Sequence, residues 1–218
     1  MARYLLFDFD GTLYDTGEGI TKSVQYALQR FGVSAEREEL RCFVGPPLAD
    51  MFAEKFGFDR ARTEEAVLAF RERYNPIGVY ESEVYAGMPA FLARMRERGY
   101  VLAVATSKPQ PLAEELLERS GMRQFFSVVV GSRTDGNNNS KREVVERVIA
   151  ALGAEKSACV LIGDTKYDVA GAHAAGIGCI AVRYGYAAPG ELEQAGADAI
   201  ADDLDELEKM LTCGEKTV

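Results

Sequence analysis

Five short apolar runs, each closing on polar or glycine-rich residues, constrain this chain most: residues 4–9, 101–105, 127–130, 159–162 and 179–182. Runs of this length between such breakers read as buried strands. Between the last four lie segments of helical period. Leu112, Leu116 and Leu117 precede Gly121; Val144, Val145, Val148, Ile149 and Leu152 precede Gly153; residues 168–175 precede Gly176. A glycine just past a periodic run supplies the left-handed conformation of a helix C-cap. Strands alternating with helices predict an α/β fold, a parallel sheet covered on both faces. Residues 199–201 and 204–211 add an expected edge strand and closing helix.

The interval 15–84 breaks this rhythm. It holds no convincing buried strand but repeats helical spacing. Ile20, Val24, Leu28 and Phe31 share a face that ends at Gly32, and Val67, Phe70 and Tyr74 form another. Pro46-Pro47 marks the start of a third helix, because proline is tolerated in a first turn. The expected organisation is an α/β core of residues 1–14 and 85–218, with a helical insert over 15–84. Asn137-Asn138-Asn139 reads as a loop.

In an open α/β sheet, ligands bind beyond the carboxyl ends of the strands, so what each strand delivers there matters. The first delivers Asp8 and Asp10, then Gly11-Thr12. If the strand stays extended through them, both carboxylates point the same way. They then repel unless a cation or a proton separates them. Such a pair suits covalent catalysis, one carboxylate attacking while the other serves as acid and base. A surface turn or a capping acid explains the pair equally well.

The second strand ends at Thr106-Ser107-Lys108-Pro109, where a hydroxyl and a backbone N–H can hold phosphate oxygens. The same residues also suit an N-cap for the following helix. Lys141 opens the helix 141–152, where a cation opposes the macrodipole. That placement points it at something anionic, with a solvated surface lysine as the alternative. The fourth strand ends in Gly163-Asp164-Thr165, with Asp168 four residues after Asp164. The two carboxylates either face a common hard cation of the Mg²⁺ kind or cap and charge a helix start.

Each segment alone is ambiguous, but together the strand ends deliver a nucleophile, an acid/base, oxygen donors, a cation and metal ligands. In that order and spacing, DFDGTLYDT, VATSKP, Lys141 and GDTKYDVAGAHAAGIG resemble the four motifs of the haloacid dehalogenase superfamily, specifically its phosphatases with a helical cap inserted after the first motif. The match covers essentially the whole chain. FVGPPL and GYAAPGEL are further similar to the phosphoglycolate-phosphatase-like branch. The resemblance implies a Rossmann-like core, a small α-helical cap and an Mg²⁺-dependent phosphatase of a small phosphorylated metabolite, phosphoglycolate or a nucleoside monophosphate among them. It implies that Asp8 forms an aspartyl-phosphate and binds metal. It implies that Asp10 is the acid/base, with its carbonyl on the metal. Thr106, the Ser107 amide and Lys141 are expected on phosphoryl oxygens, Asp164 on the metal, and Asp168 orienting that shell.

Two other readings share the scaffold. A phosphosugar mutase of the β-phosphoglucomutase type uses a similar core and cap, and FVGPPL leans against it. A retired phospholigand-binding protein is expected to have lost Asp8, Asp10, Lys141 or Asp164, and all are present.

The net charge of -9 argues against nucleic acid as a partner, which needs basic stripes. Cys42, Cys159, Cys179 and Cys213 form no CxxC pair, and Cys159 and Cys179 lie in apolar runs that predict burial. No apolar run approaches the roughly 20 residues of a membrane span, and the start is too short for a signal peptide; the cytoplasm is the expected compartment. His173 is expected to be structural. Lys108 fits substrate or loop rim equally, and Arg183, Tyr184 and Tyr186 fit packing better than a site.

Overall fold

The computed structural model describes residues 3–133 and 140–213, so the expected loop at Asn137-Asn138-Asn139 lies outside the described residues. Strand β1 (Tyr4–Phe7) is followed by β2 (Tyr14–Asp15), α1 (Gly17–Gln29), α2 (Leu48–Phe56), α3 (Arg60–Tyr74) and β3 (Glu83–Val84). Then come α4 (Met88–Glu97), β4 (Val101–Pro109), α5 (Gln110–Arg119), β5 (Phe126–Ser132), α6 (Lys141–Leu152) and β6 (Cys159–Gly163). The chain closes with α7 (Lys166–Ala175), β7 (Gly178–Val182), α8 (Glu191–Gln194), β8 (Ala199–Ala201) and α9 (Leu204–Thr212).

Six strands form one sheet in the order β5-β4-β1-β6-β7-β8, and every pairing in it is parallel. Strand β1 sits centrally, Tyr4 facing Val101 on one side and Cys159 on the other. Its side chains alternate between faces. Leu5 and Phe7 enter the apolar cluster with Phe91, Leu92 and Leu117, whereas Leu6 joins Val144, Val148, Val169 and Ala172 beneath α6 and α7. Burial on both faces explains the continuous apolar strand sequences, each fully buried Leu or Phe contributing about 1.5–3 kcal/mol.

Between β1 and α4 the chain is mainly helical. Val24, Leu28, Phe43, Phe52, Phe58 and Phe70 continue the first apolar cluster through this segment. Helix α2 starts at Leu48 with Pro47 as its N-cap, slightly later than the proline pair predicts. Phe31 lies just past the end of α1, and Gly32 follows at φ 67°.

Strands β1 and β4 differ most from expectation, and the short β2 and β3 are not among the elements expected. Strand β1 stops at Phe7 rather than running on to residue 9, because the chain turns back on itself. The carbonyl of Phe9 accepts bonds from the amides of Thr12, Leu13 and Tyr14. Strand β4 instead runs on through the polar Thr106-Ser107-Lys108-Pro109, held by pairing of Pro109 with Ser132. Helix α4 is not among the elements expected, although Met88, Phe91, Leu92 and Met95 are all buried. Its ten residues give the period few repeats. No helix among the described residues is long and apolar enough to cross a membrane.

Candidate active site

The ends of β1, β4 and β6 and the start of α6 converge. Asp8 follows the last residue of β1, and its amide donates to Ile162 O at 2.8 Å, fixing it against β6. Lys141, at the first position of α6, sends its ammonium inward. Nζ lies 2.7 Å from Asp8 Oδ1 and 2.7 Å from Asp168 Oδ1, and donates to Ala105 O at 3.1 Å. The anion that its place at a helix start calls for is thus a pair of buried aspartates.

Asp164 follows the last residue of β6 and is fully buried. Its Oδ2 accepts from the Tyr186 amide at 2.8 Å, and its Oδ1 from the Thr12 hydroxyl at 3.2 Å. The backbone wraps it closely. A Cβ at Gly11 would lie 2.1 Å from Asp164 Oδ2, and one at Gly185 2.3 Å from it. Gly11 also needs its positive φ of 83° to turn the chain. The N-cap of α7 is Thr165, not Asp164. Asp168 Oδ2 accepts from the Asp164 amide at 3.2 Å and from the Thr165 amide and hydroxyl at 3.0 and 2.8 Å.

Oxygens of Asp8, Asp164 and Asp168 lie within 4.8 Å of one another, all three residues buried. Burial pushes the Asp8 carboxyl up to about 7, with Lys141 pulling it down and Asp168 pushing it further up. Burial also raises Asp164, and the neighbouring Asp168 and Asp8 add to it. Burial works against the Lys141 ammonium, yet Asp168 and Asp8 hold it above the ordinary lysine range. One ammonium among three carboxylates leaves negative charge uncompensated, so this all-oxygen donor set fits a hard divalent cation.

Thr106 is buried at the site, its Oγ1 accepting from the Lys108 amide at 3.1 Å, and Ser107 beside it is half-buried. Asp10 lies near enough to Asp8 to add to the rise of its carboxyl, after burial and Asp168. Its Oδ1 is paired at 2.9 Å with the ammonium of Lys108, whose side chain is only 2% exposed.

Comparison with known proteins identifies the family. The family model described as haloacid dehalogenase-like hydrolase matches residues 5–182. The chain belongs to the haloacid dehalogenase-like hydrolases. It is 39% identical to a 5'-nucleotidase of Pseudomonas aeruginosa, over 95% of this chain and 94% of the other. At 34% it is similar to a plasmid-borne phosphoglycolate phosphatase of Cupriavidus necator, over 95% and 92% of the two chains. At 34% it also resembles a Mycobacterium tuberculosis protein named tyrosine-protein kinase PtkA, over 96% of this chain and 72% of the other. A predicted phosphatase from Clostridium acetobutylicum superposes with TM-score 0.93 at 38% identity, covering 97% and 98% of the chains. This haloacid dehalogenase-like hydrolase is a phosphatase, acting on phosphate monoesters.

Several residues around this family's site lie inside or beside the motif segments without a role legible from the sequence. Thr12 and the Tyr186 amide hold Asp164, and Gly171 on α7 makes room for Lys141. Tyr184 donates to Thr12 O at 3.1 Å, and the Tyr186 hydroxyl bonds Asp15. The sequence favours packing for both tyrosines, whereas the structure bonds them to residues of the first motif. Arg183 instead pairs with Glu193 and Asp202 on the surface. His173 lies on α7 against Asp198 at 2.9 Å. Cys159 and Cys179 are buried thiols, as their apolar runs predict.

Proposed function

We propose that this chain is an Mg²⁺-dependent phosphatase that hydrolyses a small phosphate monoester through an aspartyl-phosphate on Asp8. The single observation that carries the reading is Asp8 itself, buried at the end of the central strand. It lies 2.7 Å from the Lys141 ammonium and shares a cluster with Asp164 and Asp168. A carboxylate so enclosed is desolvated and aimed, as a nucleophile must be.

Asp8 attacks phosphorus, and the bond from phosphorus to the ester oxygen breaks as Asp10 gives that oxygen a proton. Asp10 then takes a proton from water, which attacks phosphorus and frees Asp8. Thr106, the Ser107 amide and Lys141 hold the phosphoryl oxygens while charge develops on them. Asp8, the Asp10 carbonyl and Asp164 would hold Mg²⁺, which supplies further neutralisation of the phosphoryl charge. Asp168, bonded to the backbone at the start of α7 and paired with Lys141, keeps Asp164 and Lys141 oriented.

Residues 15–84 act as a cap over the strand ends, placing side chains against the leaving group and excluding water. Support comes from the Gly45 loop, where a Cβ would come within 3.3 Å of Thr165. The substrate class is a small metabolite such as phosphoglycolate or a nucleoside monophosphate, supported by the named relatives and by FVGPPL. The acidic surface and the unpaired thiols support work in the cytoplasm without nucleic acid.

The test is phosphate release across a panel of phosphate esters with Mg²⁺. Asp8→Asn abolishes turnover and covalent phosphate labelling with the fold intact. Turnover by that variant, or full activity in excess chelator, sinks the reading.

A further inference from the structure

Lys108 is a buried cation that phosphoryl transfer does not by itself require. Its Nζ is 2.9 Å from Asp10 Oδ1 and donates to the hydroxyl of Tyr74, which comes from α3 in the helical segment. It also sits 5.3 Å from the Phe9 ring centre and 5.1 Å from that of Tyr74. A buried ion pair of this kind is weak as a source of stability, since desolvating both charges offsets most of their attraction. What it does supply is direction. With Oδ1 tied to Lys108, the Asp10 carboxylate keeps one orientation.

Tyr74 is itself held. Its ring stacks on Phe70 at 4.9 Å, and a Cβ at Gly78 would lie 2.9 Å from its Cδ2. The neighbouring Arg73 bonds Ser23 at 3.0 Å and forks onto both oxygens of Glu81 at 2.9 and 3.1 Å. The hydroxyl that reaches Lys108 is thus fixed to α3, and its position follows that helix.

We infer that Tyr74 and Lys108 are a positioning pair: the hydroxyl on α3 holds the ammonium on Asp10 Oδ1, so that Oδ2 faces the leaving-group oxygen and the attacking water when α3 is docked. This rests on the acid/base role proposed for Asp10. It makes proton transfer depend on the seating of the helical segment. In this role both act through Asp10.

The experiment uses the full chain with Mg²⁺ and p-nitrophenyl phosphate, comparing Tyr74→Phe, Lys108→Met and the double variant, with thermal midpoints measured for each. Tyr74→Phe keeps the ring and removes only the hydroxyl. The expected result is a kcat lower by about tenfold with KM within about twofold, less than the roughly 10²-fold of a full ångström's misplacement because the ammonium stays paired with Asp10. Lys108→Met loses more, and the double variant loses no more than Lys108→Met, because the two act in series. Unchanged kcat in Tyr74→Phe at an unchanged thermal midpoint overturns the inference. So does a raised KM with kcat retained, or effects that multiply in the double variant. Asp8→Asn is run alongside. If it stays active, the phosphatase mechanism itself fails; if it is dead while Tyr74→Phe is normal, only the positioning pair fails.

Discussion

Gly171 stands where any side chain would strike the stem of Lys141: a Cβ there would lie 2.4 Å from Lys141 Cγ and 2.7 Å from its Cβ. These atoms sit near the backbone of α6 and cannot swing aside as the ammonium end could. Gly171→Ala should therefore displace Nζ from Asp8 and Asp168. We expect kcat to fall by about 10²-fold, the scale of an ångström's misplacement, with the protein still folded by circular dichroism. Retention of wild-type kcat would show that α6 and α7 part freely.

Asp8 is raised to about 7 from an ordinary value of 3.8, chiefly by burial. The folded chain then binds this proton more tightly than the unfolded chain. Its contribution to stability is fully present below about pH 4 and is lost as pH rises toward 7, and the raised Asp164 acts with the same sign. Thermal unfolding in chelator should show this decline on the contribution of these groups. Mg²⁺ should raise Tm more near neutral pH than at about pH 5, because metal and protons compete for the same oxygens. An equal gain at both would place the bound metal elsewhere.

Asp8→Asn removes a negative charge from the crowded cluster while keeping the shape. In metal-free buffer it should raise Tm by roughly 2–8 °C, the shift that about 1–2 kcal/mol produces in a chain of this size. Scanning calorimetry with chelator checks this. A lower Tm would mean that Lys141 already balances the carboxylate.

Thr12 is fully buried and gives its hydroxyl to Asp164 Oδ1 across 152 residues of chain. Thr12→Val keeps the shape and deletes that bond. The affinity for Mg²⁺ should drop by about 10-fold, the lower end for losing a partner that orients a ligand. Activity at saturating Mg²⁺ should be nearly restored. Titration of activity against Mg²⁺ separates the two, and an unaltered half-saturation point would rule the orienting role out.

The strands were legible because both faces of the sheet are buried, which leaves runs such as 159–162 uniformly apolar. Their ends were less so. Nothing in Asp8-Phe9-Asp10 announces that the extended geometry fails at Asp8, since the turn depends on three amides folding back onto Phe9 O. Thr106-Ser107-Lys108-Pro109 reads as the polar close of the second strand and an N-cap, yet the strand runs through it, because pairing with β5 overrides local polarity. In the site, Lys141 could be read from its wrong place on the helix dipole. Lys108 could not, since a lysine after a strand is ordinarily solvated, and only the partner on α3 reveals its burial. Gly171 and Gly185 carry no side chain by which to be noticed; their meaning lies in what would collide with them.

The short ladder of β2 and β3 has a broader consequence. Tyr14 faces Val84 and Asp15 faces Glu83, so the chain leaves for the helical segment and returns from it at points about 5 Å apart. A segment whose two ends meet can be lengthened, trimmed or traded for another without moving a single register of the six-stranded sheet. With residues 15–84 as the proposed cap, the scaffold lets evolution revise what is recognised and leave untouched how it is cut.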